Sequence, residues 1–189
     1  MAKTESEAPE LGMEALDFRL RDTDGNLVAR DDFSDAPALL VVFMCNHCPY
    51  VRHIAPQLAR LGREYIPKGL AMVGINANDA ARFPDDSFEA MGEEKARVGY
   101  PFPYLYDSDQ SVARAYGAVC TPDFFLFDGE RQLVYRGQFD ASRPGNGVPA
   151  SGDDLRAAVT AVLTGDEVSA DQVPSVGCNI KWKPGNEPG

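Results

Sequence analysis

Cys45 and Cys48 stand three residues apart in the run Cys45-Asn46-His47-Cys48, and Pro49 follows at once. Two sulfurs at this spacing can meet across one helical turn, since a closed disulfide needs Cα atoms about 5.5 Å apart. The chemistry on offer is thiol-disulfide exchange, and the same sulfurs are soft ligands for a metal. His47 sits between them, either as a cation that lowers their pKa or as a solvated loop residue. Cys120, Cys178 and His53 are the remaining cysteines and the remaining histidine of the chain.

The dithiol needs a scaffold, and the flanking sequence supplies one. Residues 38–44 (ALLVVFM) are a continuous apolar run, as in a strand buried on both faces of a sheet. After it, Tyr50, Ile54, Leu58 and Leu61 recur at helical spacing, and Pro49 suits a first helical turn because its missing N–H costs nothing there. Cys48 therefore falls near a helix N-cap. Unpaired N–H groups and the positive end of the helix dipole favour its thiolate, so its pKa should fall below about 8.5.

Further elements follow from the same patterns. Residues 16–20 alternate like a strand before a hairpin turn at Asp24-Gly25-Asn26, and residues 69–76 read as a second buried strand ending in the polar run Asn76-Ala77-Asn78-Asp79. That run could shape a substrate groove or be an ordinary polar loop. A helix begins at Ser87, a short one closes at Gly117, residues 123–127 and 133–136 pair as a hairpin across Asp128-Gly129-Glu130, and residues 153–163 form a last helix. The expected organisation is a flexible tail at 1–14, one domain at 15–165, and a C-terminal tail at 166–189 that straps the outside of the sheet. The other course folds the tail, with Cys178, back over the active face with Trp182 as its hydrophobic anchor.

A formal charge of −11, from 29 acidic and 18 basic residues with no clustered Lys or Arg, excludes a phosphate-tracking surface, so neither nucleic acid nor membrane is an expected partner. The polar stretch Met1 to Leu11 has no apolar h-region, and the expected compartment is the cytoplasm. Four cysteines in 189 residues are too few for a disulfide scaffold, which turns the argument toward catalysis or metal.

The order strand, dithiol, helix, strand, helix, then Thr121-Pro122 leading into a hairpin and a closing helix, resembles the thioredoxin fold as elaborated in peroxiredoxin-like and thiol-disulfide proteins of the AhpC/TSA-redoxin type. The segment from Phe43 through Cys48 to Ile54-Ala55-Pro56 can be laid on thioredoxin without gaps. The resemblance implies an α/β fold with a central mixed sheet and helices on both faces. It further implies a cis peptide at Pro122, packed against the dithiol, with the Thr121 backbone offered to a bound peptide or thiol. In this register Cys48 takes the nucleophile's place, Val51 fills the place of the second cysteine, and the buried acid of thioredoxins falls at Val42. Peroxiredoxins carry Thr or Ser three residues before their attacking cysteine, where this chain has Val42 or Cys45.

The expected function is thiol-disulfide exchange with Cys48 as nucleophile and Cys45 as its partner, supported by Thr121, Pro122, His47, Pro49 and Cys120. Substrates would be protein or small-molecule disulfides or peroxides, the electron donor would be of thioredoxin or glutathione type, and no cofactor is needed. Thiol peroxidase activity is one alternative. The other is a copper or zinc module with Cys45, Cys48, His47 and Cys120 as ligands, although ligands within four residues rarely close a four-coordinate site. Cys120 could instead resolve a mixed disulfide or be a buried turn residue, Arg143 could approach the thiolate or form a structural ion pair, and His53 is a surface or packing residue before it is a base. Tyr50, Phe83 and Tyr100 could line a homodimer face or a groove.

Overall fold

The apolar run forms the central strand, Ala38–Phe43, with every side chain buried. Its alternation divides two cores: Leu40 and Val42 enter one, while Leu39, Val41 and Phe43 enter the other. In the computed structural model, which describes residues 3–188, the chain begins with β1 (Lys3–Glu5), β2 (Arg19–Asp22), β3 (Leu27–Ala29) and the central β4 (Ala38–Phe43). Next come α1 (Pro49–Tyr65), β5 (Leu70–Asn76), α2 (Phe88–Val98), β6 (Tyr104–Tyr106) and α3 (Ser111–Ala115). The chain closes with β7 (Cys120–Thr121), β8 (Asp123–Phe127), β9 (Leu133–Tyr135), α4 (Asp153–Thr164) and β10 (Val176–Asn179).

Seven strands form one mixed sheet in the order β3-β2-β6-β5-β4-β8-β9, with β4, β5 and β6 parallel and the flanking pairs antiparallel. A second sheet, β1-β10-β7, is antiparallel throughout. Helices α1 and α4 cover the Leu40 face, and α3 covers the Leu39 face. Pro56 lies inside α1, where proline costs about 3 kcal/mol. Burial of Ile54, Leu58 and Leu61, each contributing about 1.5–3 kcal/mol, more than offsets it.

Three regions depart from the sequence reading. The strand of the first hairpin, β2, starts at Arg19 rather than Leu16, and upstream carbonyls are taken by side chains, Ala15 by Arg30 and Leu16 by Tyr116. Residues 3–5, within the expected loose tail, form strand β1 because β10 gives them an edge to pair with, and Ser6 continues the tie to Ser175. The C-terminal tail does not run over the outside of the sheet: β10 is inserted between β1 and β7, beside the dithiol, while Ile180 and Trp182 pack into the Leu39-side core. Among the described residues no helix is long and apolar enough to cross a membrane.

Candidate active site

The dithiol loop connects the end of β4 to α1, and its shape is set by one buried carboxylate. Asp86 is wholly buried and accepts hydrogen bonds from the Asn46 N–H (2.8 Å), the His47 N–H (3.2 Å) and the Asn78 side-chain amide (2.7 Å), while facing His47 Nδ1. Asn46 adds three ties: its amide donates to Asp85 O (2.9 Å), its Oδ1 accepts from the Tyr104 hydroxyl (2.9 Å), and its carbonyl accepts from Arg52 (2.8 Å). The His47 ring stacks flat on Phe83, with centroids 5.5 Å apart. Asn46 and His47 are therefore tied to the distant residues Asp85, Asp86 and Tyr104 without any disulfide.

Cys48 is the N-cap of α1 and Pro49 its first residue. The Cys48 thiol is buried and can donate to Thr121 O at 3.2 Å, and Cys45 Sγ lies 3.5 Å from Thr121 Oγ1. The Thr121–Pro122 bond is cis. Hydrogen bonding from the Cys45 thiol draws the Cys48 pKa down to about 5, against burial, with further help from the Cys178 thiol, the Val51 N–H and the Thr121 hydroxyl. Cys45 is pushed the other way: its bond to Cys48, its burial and the Asp86 charge all hold it as a thiol. The two shifts run in opposite directions, favouring the thiolate at Cys48 and the thiol at Cys45, and a thiolate is the attacking form in disulfide exchange.

The alternation of β7 sorts the other candidates. Thr121 faces the sulfurs, so Cys120 lies on the opposite side of the strand, where its thiol meets Pro122 O at 3.6 Å and burial pushes its pKa up. Cys120 makes no hydrogen bond to Cys48, but the Cys48 and Cys178 charges are near enough to add to the burial that holds it as a thiol. Cys178 is placed against Cys48, because it pairs with Thr121 in the β7–β10 ladder and directly opposed residues share a face. Arg143 donates to Gln138 Oε1, Asp140 O and Ser142 O, which holds its loop. His53 lines a narrow cleft beside Tyr50, Pro122 and Arg143, and its Nε2 has no hydrogen-bond partner. The Asn76–Asp79 run holds Asp86 and the tail: Asn78 Oδ1 accepts from the Lys181 N–H, and the Asp79 N–H donates to Lys181 O. Tyr100 is buried against Phe102 and Tyr104 and lines no outer face.

Three of these groups have metal-ligand character, since one ligand atom each from Cys45, His47 and Asp86 lie within 4.8 Å of one another. Both Asp86 oxygens already accept hydrogen bonds that fix the loop, so a cation here would share the carboxylate with those donors. Asp86 escaped the sequence reading because Asp85-Asp86-Ser87 looks like ordinary helix-start chemistry, which Ser87 indeed performs by capping Ala90.

Comparison with known proteins agrees with this architecture. A hypothetical protein of Sinorhizobium meliloti 1021 has a crystal structure that matches with a TM-score of 0.95 at 56% identity, over 96% of this chain and 100% of that one. The thioredoxin domain of a thiol-disulfide oxidoreductase from Bacteroides vulgatus matches with a TM-score of 0.58 at 22% identity, over 68% of this chain and 88% of that one, and shows the fold to be thioredoxin-like. A thiol-disulfide oxidoreductase ResA of Halalkalibacterium halodurans is 25% identical over 123 residues, and the match spans 65% of this chain and 65% of that protein. The AhpC/TSA family model matches residues 11–136, from the strand before the first hairpin turn through the dithiol and Thr121-Pro122 to the second hairpin. On that match, and with the sheet built around Cys48 as described, the chain belongs to the AhpC/TSA family.

Proposed function

We propose that the protein is a thiol-disulfide oxidoreductase in which Cys48 attacks and Cys45 resolves. The observation that carries this reading is the Cys48 sulfur at the α1 N-cap, favoured as a thiolate by the neighbouring Cys45 thiol. The ResA relative, named for the same reaction, supports the class. The Cys48 thiolate attacks one sulfur of a disulfide, forming a mixed disulfide and releasing the other half as a thiolate. Cys48 then carries no charge, which removes the largest cause holding Cys45 protonated. Cys45 loses its proton to the released thiolate and attacks Cys48 Sγ; the second half leaves, and two protein thiols have become one disulfide. A thiol donor of thioredoxin or glutathione type reopens the bridge.

The test is peptide mass mapping after alkylation, with and without prior exposure to oxidised glutathione. Cys45 and Cys48 share the tryptic peptide ending at Arg52, so their bridge appears as a loss of two hydrogens within it. Retention of full disulfide-exchange activity by Cys48→Ser would sink the proposal. One equivalent of hydrogen peroxide in a parallel sample examines the peroxidase alternative through a sulfenic acid at Cys48.

A further inference from the structure

The chain's own C-terminal segment occupies the strand edge next to Cys48. β10 pairs with β7 in the register Cys178 to Thr121 and Asn179 to Cys120, and β1 closes the other edge of β10. The fit is close. A Cβ on Gly177 would sit 1.9 Å from Thr121 O, so only glycine lets the two backbones meet here. Ser175 Oγ donates to Pro122 O at 2.7 Å on one side of this contact, and the Lys181 N–H donates to Asn78 Oδ1 at 2.8 Å on the other. Cys178 is therefore held from both ends, buried, on the face of β7 that carries the Thr121 side chain.

We propose that Cys178 is a second resolving thiol: it attacks Cys48 in the mixed disulfide, and a Cys48–Cys178 bridge is an oxidised form of the enzyme. This rests on the reading of Cys48 as the attacking sulfur. The two flanks of Cys48 differ in charge. Burial and the hydrogen bond to Cys48 push the Cys178 pKa up to about 12, with the Lys181 charge acting the other way, whereas at Cys45 the Asp86 charge adds to the hydrogen bond with Cys48 and to burial. Once Cys48 is neutral in a mixed disulfide, its own push on both thiols disappears. Both thiols stay buried, but the remaining Lys181 charge then favours ionisation of Cys178 and the remaining Asp86 charge opposes that of Cys45. The Cys178 proton passes to the thiolate released in the first attack, the Cys178–Cys48 bond forms, the bond from Cys48 to the substrate sulfur breaks, and the second half of the substrate leaves as a thiolate, carrying the charge that Cys48 brought to the first attack. One disulfide is reduced to a thiol and a thiolate, and two cysteines are oxidised.

The same pairing bears on what can be reduced. A strand edge takes one ladder partner, and β10 is that partner for β7. An extended polypeptide cannot pair there while β10 is docked, so the disulfides that suit the closed site are of low molecular weight.

The experiment uses the full chain as wild type and as Cys45→Ser, Cys178→Ser and Cys48→Ser, each mixed with one equivalent of oxidised glutathione, quenched by alkylation and digested with trypsin. In Cys45→Ser the expected product is a cross-link between the peptide ending at Arg52 and the peptide ending at Lys181. In the double variant Cys45→Ser/Cys178→Ser the Cys48–glutathione adduct should persist at least tenfold longer. A stable glutathione adduct on Cys48 in Cys45→Ser, with Cys178 still open to alkylation under denaturing quench, overturns the role of Cys178 and leaves Cys48 as nucleophile. Absence of any adduct or bridge at Cys48 in all proteins that retain it overturns the underlying reading, and this proposal with it. Since the decisive variant keeps Cys178 and its strand intact, misfolding of Cys178→Ser does not blur the answer.

Discussion

The two flanks of Cys48 are built in opposite ways. On the loop flank, Cys45, Asn46 and His47 are sequence neighbours of Cys48, and a single distant carboxylate, Asp86, holds the loop by accepting the N–H groups of Asn46 and His47. On the tail flank, Gly177, Cys178 and Lys181 arrive from the far end of the chain and are held by strand pairing and backbone contact rather than by charge. Local sequence can place a sulfur near another sulfur. Only a ladder register can place a third one, because Cys178 faces Cys48 solely through its pairing with Thr121.

The largest effect should come from the residue that both flanks serve. Cys48→Ser is expected to lower disulfide exchange by at least about 10³-fold, and activity within tenfold of wild type in a glutathione-reduction assay would move the nucleophile elsewhere. Next is the loop flank: Asp86→Ala strands two buried backbone N–H groups and the Asn78 amide, at about 1–3 kcal/mol for each, so the urea midpoint should fall sharply. An unchanged midpoint would mean that the loop is held by something other than Asp86. The tail flank breaks more mildly. Gly177→Ala forces β10 away from Thr121 at about 1–3 kcal/mol, and it should abolish the Cys48–Cys178 cross-link while sparing the Cys45–Cys48 bridge. If the cross-link survives at wild-type yield, close backbone approach is not what positions Cys178.

Smaller still is a shift in titration. Because a lowered pKa means that the reactive anion persists down to the folded value and is lost below it, alkylation of Cys48 should rise through about pH 5 and be nearly flat above pH 6. Cys45→Ala removes the first cause of that lowering and should move the midpoint upward; a midpoint that stays put would transfer the effect to the helix terminus and Cys178. The smallest expectation is for the opposite face of β7, where Cys120→Ala should leave exchange rates within about twofold and cost stability by about 1 kcal/mol.

The central strand, the helix after the dithiol and the capping position of Cys48 were legible because each depends on local periodicity, a proline at a helix start and a run of apolar residues. The hairpins at Asp24-Gly25-Asn26 and Asp128-Gly129-Glu130 were legible for the same reason. What stayed hidden depends on partners far along the chain. Lys3–Glu5 has no strand signature of its own and becomes a strand because β10 offers an edge. Asp86 reads as a surface acid until its acceptors are seen to meet Asn46 and His47, 40 and 39 residues away. The position of Cys120 two residues before Pro122 was legible, but the strand alternation that aims its thiol at Pro122 O, while Thr121 meets Cys45 Sγ, was not.

The small β1-β10-β7 sheet has a consequence for how the protein comes to exist in cells. It joins the first residues of the fold to the last, with Ser6 bonded to Ser175 across 169 positions of sequence. Contacts of such separation form late, after the loops between them have closed. During synthesis the segment through Cys48 emerges long before Gly177 and Cys178, so the nascent dithiol lacks both its third sulfur and its cover. The nascent chain therefore carries Cys45 and Cys48 uncovered, and the finished arrangement of three sulfurs belongs only to chains translated past Lys181.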